Sequence, residues 1–331
     1  MRRARRAGLL AVLLLCAAFP AHCLRVAVVQ LRIDESTYSS VESFRGIVTT
    51  AVEKAFDEAP EGCRPDLIVF PEYTSVFLAL LPYEDDLRGA ASVAEGLARL
   101  SAADRKIGSL RQVFLEQASM VQDLVREVFG GLARQYGAAI VAGTAFARVA
   151  GEGTDTDGGA GGTVELRNRA FVFSPDGRLA YTQDKVYLSE FETDVVGLSP
   201  GRVVEAAPFT VAGMRIGLTL CRDTFFGEWE QRFRGLDLWI DMKANGVPFT
   251  AEEREGFAKA LPARLPGAGV RHGITACLVG RYLDLAWEGE SSVIECMHGA
   301  VRVLASASSA REPEILWAEI GGTEGGMSWR Q

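Results

Sequence analysis

The sequence predicts one mixed α/β domain that contains two β-sheets. Short apolar runs of strand type alternate with segments of helical periodicity in the first half of the chain, whereas the second half is rich in predicted hairpins. No linker and no internal repeat divides the 331 residues. A chain of this length can bury a sizeable core, and 48% hydrophobic with 24% charged residues is typical of a globular protein.

The first half of the chain follows the order strand, helix, strand. Residues 24–31 (LRVAVVQL) are a predicted buried strand, residues 39–59 carry apolar side chains at helical spacing, and residues 67–70 (LIVF) are a second strand. This order is typical of a parallel crossover unit. A long amphipathic helix is predicted over about 110–136, and a third strand over 138–146.

Hairpins are predicted in the second half. Residues 169–173 and 179–182 flank the turn-forming run SPDG, and residues 203–211 and 214–220 flank Ala212-Gly213. Residues 151–162 (GEGTDTDGGAGG) are predicted to be a surface connection, since no Gly-Lys-Ser/Thr follows them as in a phosphate-binding loop. Further strands are predicted over 236–241, 274–279, 291–296 and 301–305.

The N-terminal residues 1–23 are predicted to be a signal peptide or an N-terminal anchor, and residues 24–331 the single domain. Four arginines among the first six residues precede an apolar run, residues 8–19, that is too short for a comfortable membrane span. We therefore expect an exported protein, periplasmic or extracellular. The sequence leaves open whether the leader is cleaved, kept as a membrane tether or lipidated at Cys23.

Composition excludes several classes of function. A net charge of −8 argues against a nucleic-acid partner, because phosphate binding needs a basic surface. Three histidines are too few for a mechanism or metal site built on several imidazoles, and the wide cysteine spacing does not match a zinc or thioredoxin-like motif. Cys277 and Cys296 lie in apolar runs that can be neighbouring strands, so free thiols and a disulfide both remain open.

Three predicted strands end abruptly in a reactive side chain. Glu72 follows LIVFP, Lys185 follows YTQD, and Cys221 follows IGLTL. Active-site groups gather at the carboxyl ends of strands, so a carboxylate, an ammonium and a thiol in these places can converge on one pocket. Taken singly, each residue has a structural alternative. Glu72 can be a helix cap or a solvated acid, Lys185 a surface lysine and Cys221 a core cysteine.

The sequence resembles the nitrilase superfamily of carbon–nitrogen hydrolases over residues 24–320. Residues 66–73 (DLIVFPEY), 183–188 (QDKVYL) and 218–229 (LTLCRDTFFGEW) resemble, in order, the glutamate, lysine and cysteine blocks of that family. Residues 289–306 (GESSVIECMHGAVRVLAS) resemble the hairpin that ends its second sheet. The resemblance implies a four-layer α-β-β-α sandwich of two mixed sheets.

The resemblance also implies roles for individual residues. Cys221 is expected to be the nucleophile, Glu72 the general base and Lys185 the cation that stabilises the tetrahedral intermediate. A second glutamate near the lysine is assigned to Glu192, with Glu190 as the alternative. The resemblance implies neither a metal nor an organic cofactor.

This chain departs from the family pattern beside the nucleophile. Arg222 occupies a place where the family often has an aromatic residue, and Lys243 one where relatives usually have a small or hydroxyl residue. We hypothesise that one of these cations faces the pocket and selects a substrate that carries a carboxylate. The alternative is that both are surface cations.

The function implied is amide hydrolysis through a thioester on Cys221. The alternatives are nitrile hydrolysis or N-acyl transfer within the same superfamily, and a non-catalytic binding protein on this fold. The expected partner is a small-molecule amide or nitrile, and the resemblance implies a homodimer or larger homo-oligomer. Residues 83–106 are expected to form either a lid over the pocket or a plain surface insertion.

Overall fold

The fold is seen in a computed structural model that describes residues 23–103, 107–151 and 164–321. Of the predicted leader it includes only Cys23, and nearly all of the glycine-rich stretch 151–162 lies outside the described residues. In these ranges, no helix has both the length and the apolar character needed to cross a membrane.

The first half of the chain begins with strand, helix and strand, as the sequence predicts. The elements in order are β1 (Leu24–Ile33), α1 (Val41–Asp57), β2 (Leu67–Phe70), α2 (Glu84–Leu87), α3 (Val93–Ala102), α4 (Leu110–Tyr136), β3 (Ala139–Ala150), β4 (Val164–Phe173) and β5 (Leu179–Asp184). A 3-10 helix, Val76–Tyr83, precedes α2.

The second half contains the remaining strands and three short helices. They are β6 (Phe209–Val211), β7 (Met214–Leu220), α5 (Glu228–Arg232), β8 (Leu238–Lys243), α6 (Ala251–Ala258), α7 (Leu261–Ala268), β9 (His272–Tyr282), β10 (Leu285–Trp287), β11 (Ser292–Met297), β12 (Ala300–Ser306) and β13 (Glu314–Ile320).

Local signals explain why α4 has the predicted limits. The Ser109 side chain accepts a hydrogen bond from the Gln112 backbone N–H, which satisfies one of the unpaired donors at the helix start. Gly137 follows the last residue with a φ of 68°, the left-handed conformation that terminates helices and that glycine adopts without strain.

The strands form two sheets that face each other. One sheet has the order β13-β1-β2-β3-β4-β5, and the other has the order β12-β11-β9-β8-β7-β6. The end of β1 pairs in parallel with β9, at Leu31–Ile33 and Leu278–Gly280, and this contact joins the two sheets. Each sheet contains both parallel and antiparallel pairs, as predicted for mixed sheets.

Three apolar clusters separate four layers. The cluster between the two sheets includes Val28, Val69, Leu218 and Ile240. A second lies between the outer face of the β1–β5 sheet and helices α1 and α4, and a third packs α5 and α7 against the outer face of the other sheet. The predicted α-β-β-α sandwich is therefore confirmed.

The structure differs from the strand predictions at three places, one of which is the short strand β10, which was not predicted. Only residues 209–211 of the predicted strand 203–211 pair as a strand, because Pro208 lacks the N–H that a sheet ladder needs and Val203–Glu205 form a 3-10 turn. The strand β13 was not predicted, and it pairs antiparallel with β1 from Leu24 to Gln30. Burial alternates along β13 as in a strand, with Leu316, Ala318 and Ile320 buried, but its sequence EILWAEI has no regular alternation of polar and apolar residues, and the long range of the pairing is not visible locally.

Candidate active site

Strand directions bring the three predicted strand ends to one end of the sandwich. Strand β2 runs parallel to β3, and the two antiparallel pairings β3–β4 and β4–β5 make β5 parallel to β2. In the other sheet β7 is parallel to β8 and β9, and β9 is parallel to β1. Glu72, Lys185 and Cys221 follow the carboxyl ends of β2, β5 and β7, and so lie at the same end.

Lys185 lies between two carboxylates in the interior. Its Nζ is 2.9 Å from Glu72 Oε1 and 2.8 Å from Glu192 Oε2. The side chains of the lysine, Glu72 and Glu192 are 3%, 1% and 0% exposed. Buried charges are tolerated only when they are paired and hydrogen-bonded, so this arrangement holds all three side chains in place.

Asn168 connects the two carboxylates from strand β4. Its Nδ2 donates to Glu72 Oε1 at 2.9 Å and to Glu192 Oε1 at 2.7 Å. The Asn168 carbonyl oxygen also accepts the Lys185 backbone N–H at 2.9 Å. Sequence reasoning missed this residue, although an amide inside an otherwise well-formed strand was a signal that a buried polar group needed partners.

Of the two candidate second glutamates, the structure brings only Glu192 into the cluster. Its Oε2 accepts the Ser189 backbone N–H at 2.8 Å and lies 3.1 Å from the Ser189 hydroxyl. The side chain projects inward from a π-helical turn, Phe191–Val196. Glu190, directly before that turn, is exposed.

The two carboxylates of the cluster have opposite pKa shifts. Burial raises the pKa of Glu72, and the charge of Glu192 adds to that rise while Lys185 opposes it. Burial also acts to raise the pKa of Glu192, but Lys185 and the hydrogen bonds from Ser189 and Asn168 hold it below its ordinary value. Carboxylates whose environments separate their pKa values are typical of acid–base sites, and Glu72 is the better proton acceptor of this pair.

A backbone group holds the second carboxylate oxygen of Glu72. Its Oε2 accepts the Ala244 N–H at 3.0 Å, just after β8 ends. Tyr73, the next residue, has a φ of 63°, a left-handed conformation that is uncommon for a bulky side chain. The Glu72 carboxylate is thus fixed by contacts from β4, the loop after β5 and the loop after β8.

Cys221 also has a left-handed backbone, with a φ of 50°. It begins a 3-10 turn, Cys221–Phe225, directly after β7. Burial raises the pKa of its thiol to about 12, helped by the charge of Glu72 and opposed by Lys243 and Lys185. The resting cysteine is therefore a neutral thiol at neutral pH, and it needs a base before it can act as a nucleophile.

Asp223 ties the cysteine turn to the segment that carries Lys185. Its Oδ1 accepts the backbone N–H groups of Val186 and Tyr187 at 3.1 and 2.8 Å. Its Oδ2 accepts the Leu220 N–H at 3.2 Å. These bonds set the relative position of the thiol and the ammonium, a role that sequence reasoning did not assign.

The two predicted specificity cations occupy different environments. Lys243 is 1% exposed, so the alternative of a surface cation is wrong for this residue. Its Nζ is 2.8 Å from Asp241 Oδ2. Arg222 is exposed and donates to the Leu188 carbonyl at 3.1 Å, and it lines a groove of about 300 Å³ together with Tyr187 and Phe226. A carboxylate-binding role stays a prediction for both.

Of the segment 83–106, the structure describes residues 83–103, which pack against the neighbourhood of Glu192. Leu97 and Leu100 of α3 line a small apolar cavity together with Phe191, the residue before Glu192. Leu100 is fully buried, so this segment contributes to the core of the domain. Whether it closes over substrate stays a prediction.

Comparisons with known proteins bear on the family and the fold of the chain. A model of the family described as carbon-nitrogen hydrolase matches residues 25–230. No curated protein sequence is significantly similar to the chain.

Solved structures share the fold. An amidase from Nesterenkonia sp. is 18% identical, with 91% of each chain covered and a TM-score of 0.60. A mutant of the amidase from Nesterenkonia sp. AN1, with the acetamide moiety of fluoroacetamide added covalently at its active-site cysteine, is 19% identical, with 95% of this chain and 94% of that chain covered and a TM-score of 0.60. Saccharomyces cerevisiae Nit3, a member of branch 10 of the nitrilase superfamily, is 20% identical, with 91% of each chain covered and a TM-score of 0.58.

Proposed function

The chain belongs to the carbon–nitrogen hydrolase family of the nitrilase superfamily, and on that premise we propose that it hydrolyses the amide bond of a small molecule through a thioester on Cys221. The observation that carries the proposal is the buried cluster of Glu72, Lys185 and Glu192, together with Cys221, which has a left-handed backbone and a thiol on which the charges of Glu72 and Lys185 act. Such a cluster supplies the base and the cation that attack on an amide needs.

Acylation begins with proton transfer from the Cys221 thiol to Glu72. The sulfur then forms a bond to the amide carbon, and the carbonyl π electrons move to oxygen. Lys185 is the cation available to stabilise this oxyanion, and its two carboxylate partners raise its pKa so that it stays charged. When the intermediate collapses, the C–N bond breaks and Glu72 returns the proton to the leaving amine, which leaves a thioester.

Deacylation uses the same groups, and water takes the place of the leaving amine. Glu72 takes a proton from water, and the resulting hydroxide attacks the thioester carbon. The C–S bond then breaks, the acid leaves, and the proton returns to the sulfur. A raised pKa suits Glu72 to both steps, since it must accept and release a proton near neutral pH.

Amides are the proposed substrates because the family cleaves carbon–nitrogen bonds and two of the structures with the same fold are amidases. We further propose that Arg222, rather than Lys243, is the cation that favours a substrate with a carboxylate. Arg222 is exposed at the edge of a groove, whereas the charge of Lys243 is balanced by Asp241.

The test is mass spectrometry of the protein after incubation with a panel of aliphatic amides, with Cys221→Ala as the control. The expected result is release of ammonia or amine and a transient acyl adduct on the peptide that contains Cys221. Hydrolysis in both proteins, or no turnover and no adduct across the panel, contradicts the proposal. Adding hydroxylamine distinguishes transfer from hydrolysis, because an acyltransferase forms the hydroxamate in preference to the acid.

A further inference from the structure

A second lysine lies directly behind the proposed nucleophile. Lys243 is the last residue of β8, and the pairing of Leu220 with Met242 places it beside Cys221 across the two strands. Its Nζ is 3.1 Å from the Cys221 carbonyl oxygen. The same ammonium is 2.8 Å from Asp241 Oδ2, which balances its charge in the interior.

Thr224 completes this arrangement. Its hydroxyl lies 2.9 Å from the Cys221 carbonyl oxygen, 2.9 Å from Asp241 Oδ2 and 3.4 Å from Lys243 Nζ. A hydroxyl has one proton, and a carboxylate is a stronger acceptor than a carbonyl, so Thr224 donates to Asp241. Lys243 is then the donor that satisfies the Cys221 carbonyl.

The carbonyl contact bears on the conformation of the nucleophile. A cysteine with a φ of 50° is held in a region that only glycine enters readily, so surrounding contacts must maintain it. The rings of Phe225 and Phe257 enclose the lysine, with their centroids 5.1 and 4.9 Å from Nζ. An ammonium confined in this way has little freedom to leave the carbonyl.

The thiol is surrounded by charged and titratable groups from several elements. Glu72 and Asp241 act to raise its pKa, and Lys243 and Lys185 act to lower it. Tyr73 and Cys277 also interact with it electrostatically. Lys243 is therefore a second cation, besides Lys185, whose charge acts on the sulfur that bonds to the substrate carbon.

We propose that Lys243, held by Asp241 and Thr224, is a positioning residue of the active site, which fixes the left-handed backbone of Cys221 through its carbonyl and keeps a second cation against the nucleophile. The inference rests on the proposed function of Cys221. It differs from a role in binding the carboxylate of a substrate, because the protein's own Asp241 already occupies the ammonium.

The experiment measures the rate at which chloroacetamide alkylates Cys221 between pH 6 and pH 9, read from the mass of the peptide that contains it. The variants are Lys243→Met, Lys243→Arg and the double variant Asp241→Asn/Lys243→Met, which leaves no buried charge unpaired. Lys54→Met, at an exposed position on α1, is the matched control for the loss of a lysine. Steady-state kinetics with the best amide of the panel accompany each variant.

Loss of the cation is expected to slow alkylation about three- to fourfold at each pH in Lys243→Met for a thiol pKa raised by about one unit, because the fall in the thiolate fraction outweighs the gain in nucleophilicity. In the double variant the loss of Asp241, which acts to raise the same pKa, offsets this effect on alkylation. Both variants release the Cys221 carbonyl. The value of kcat should therefore fall in both, with little change in KM. Lys243→Arg is expected to recover most of the rate, and Lys54→Met to match the wild type.

A folded Lys243→Met that alkylates like the wild type, or a folded double variant that keeps the wild-type kcat, overturns the inference. Failure of both Lys243→Met and the double variant to fold also overturns the inference, because Lys243 is then needed for the stability of the domain and not for the nucleophile. Failure of the proposed function looks different: the wild type itself then hydrolyses no amide, whatever the rate at which its Cys221 is alkylated.

Discussion

Glu72 and Lys185 are 113 residues apart in the chain, and their side chains form a buried ion pair with 2.9 Å between Oε1 and Nζ. The Oε2 atom of Glu192 lies 2.8 Å from the same ammonium. One cation therefore holds two carboxylates with different pKa shifts, and this relationship determines how the site responds to mutation and to pH.

The first prediction concerns the nucleophile. Cys221→Ala is expected to lower kcat by about a thousandfold or more, because the thioester route is lost completely. The stability of the fold should change little, since only one small side chain is removed. Cys63→Ala, which removes a cysteine outside the cluster, is the control and should keep full activity. Comparable activity in the two variants would contradict the thioester mechanism.

The second prediction concerns stability. Lys185→Met leaves Glu72 and Glu192 buried without a cation, which is expected to cost about 3–5 kcal/mol of unfolding free energy at neutral pH. The unpaired carboxylates acquire pKa values above those of the unfolded chain, so the native state binds protons more tightly than the unfolded state. The deficit relative to wild type should therefore shrink as the pH falls.

Urea unfolding of Lys185→Met and of the wild type at pH 5.5 and pH 8 measures this difference. A deficit that is equal at the two pH values, or larger at pH 5.5, would show that the two carboxylates do not depend on Lys185 for their charge.

The third prediction uses two neighbouring glutamates as a matched pair. Glu192→Gln removes a charge that acts on Lys185 and alters the acceptor that faces Asn168, so kcat is expected to fall about 10- to 100-fold through misplacement of the cluster. Glu190→Gln changes an exposed side chain and should retain wild-type kcat. Steady-state kinetics decide between them, and a larger loss in Glu190→Gln would reverse the assignment.

The fourth prediction concerns pH. Glu72 must be ionised to accept the thiol proton, so activity is expected above its pKa and is lost as the pH falls through it. Because burial raises that pKa, the acid limb of the kcat/KM profile should lie at a higher pH than the ordinary range of a glutamate. Glu72→Gln should remove this limb together with most of the activity. A limb at the ordinary glutamate value would show that Glu72 is not the titrating base.

The fifth prediction separates the two cations near the nucleophile. Arg222→Ala is expected to reduce the ratio of kcat/KM for amides that carry a carboxylate to kcat/KM for neutral amides, because an exposed guanidinium can pair with the substrate. Lys243→Ala is expected to lower kcat/KM for both classes by the same factor. If neither variant changes the ratio, neither Arg222 nor Lys243 selects a substrate that carries a carboxylate.

Local patterns predicted most of the fold. The helix α4 has the limits that its apolar spacing indicates, because Ser109 and Gly137 are signals read within a few residues. The strand β13 was missed because its stability comes from pairing with β1, almost 300 residues earlier in the chain. Pairing over that distance leaves no mark in the local sequence.

The candidate site was predictable in part. Glu72, Lys185 and Cys221 were singled out because each follows a predicted strand, and their roles were assigned because each lies in a block that resembles a motif of the family. The choice between Glu192 and Glu190 was not available from the sequence, since both acids lie in one short loop. It depends on which side of a π-helical turn faces the interior.

From the sequence alone follow the family, the layered α/β architecture and the identity of three chemically reactive side chains, because these depend on short motifs and on hydrophobic periodicity. Only the tertiary structure decided that Asn168 joins the two carboxylates, that Asp223 links the cysteine turn to the lysine segment and that Lys243 is buried against Asp241. These contacts come from different strands and loops. Their energetics depend on burial, which is a property of the packed molecule and not of any one segment.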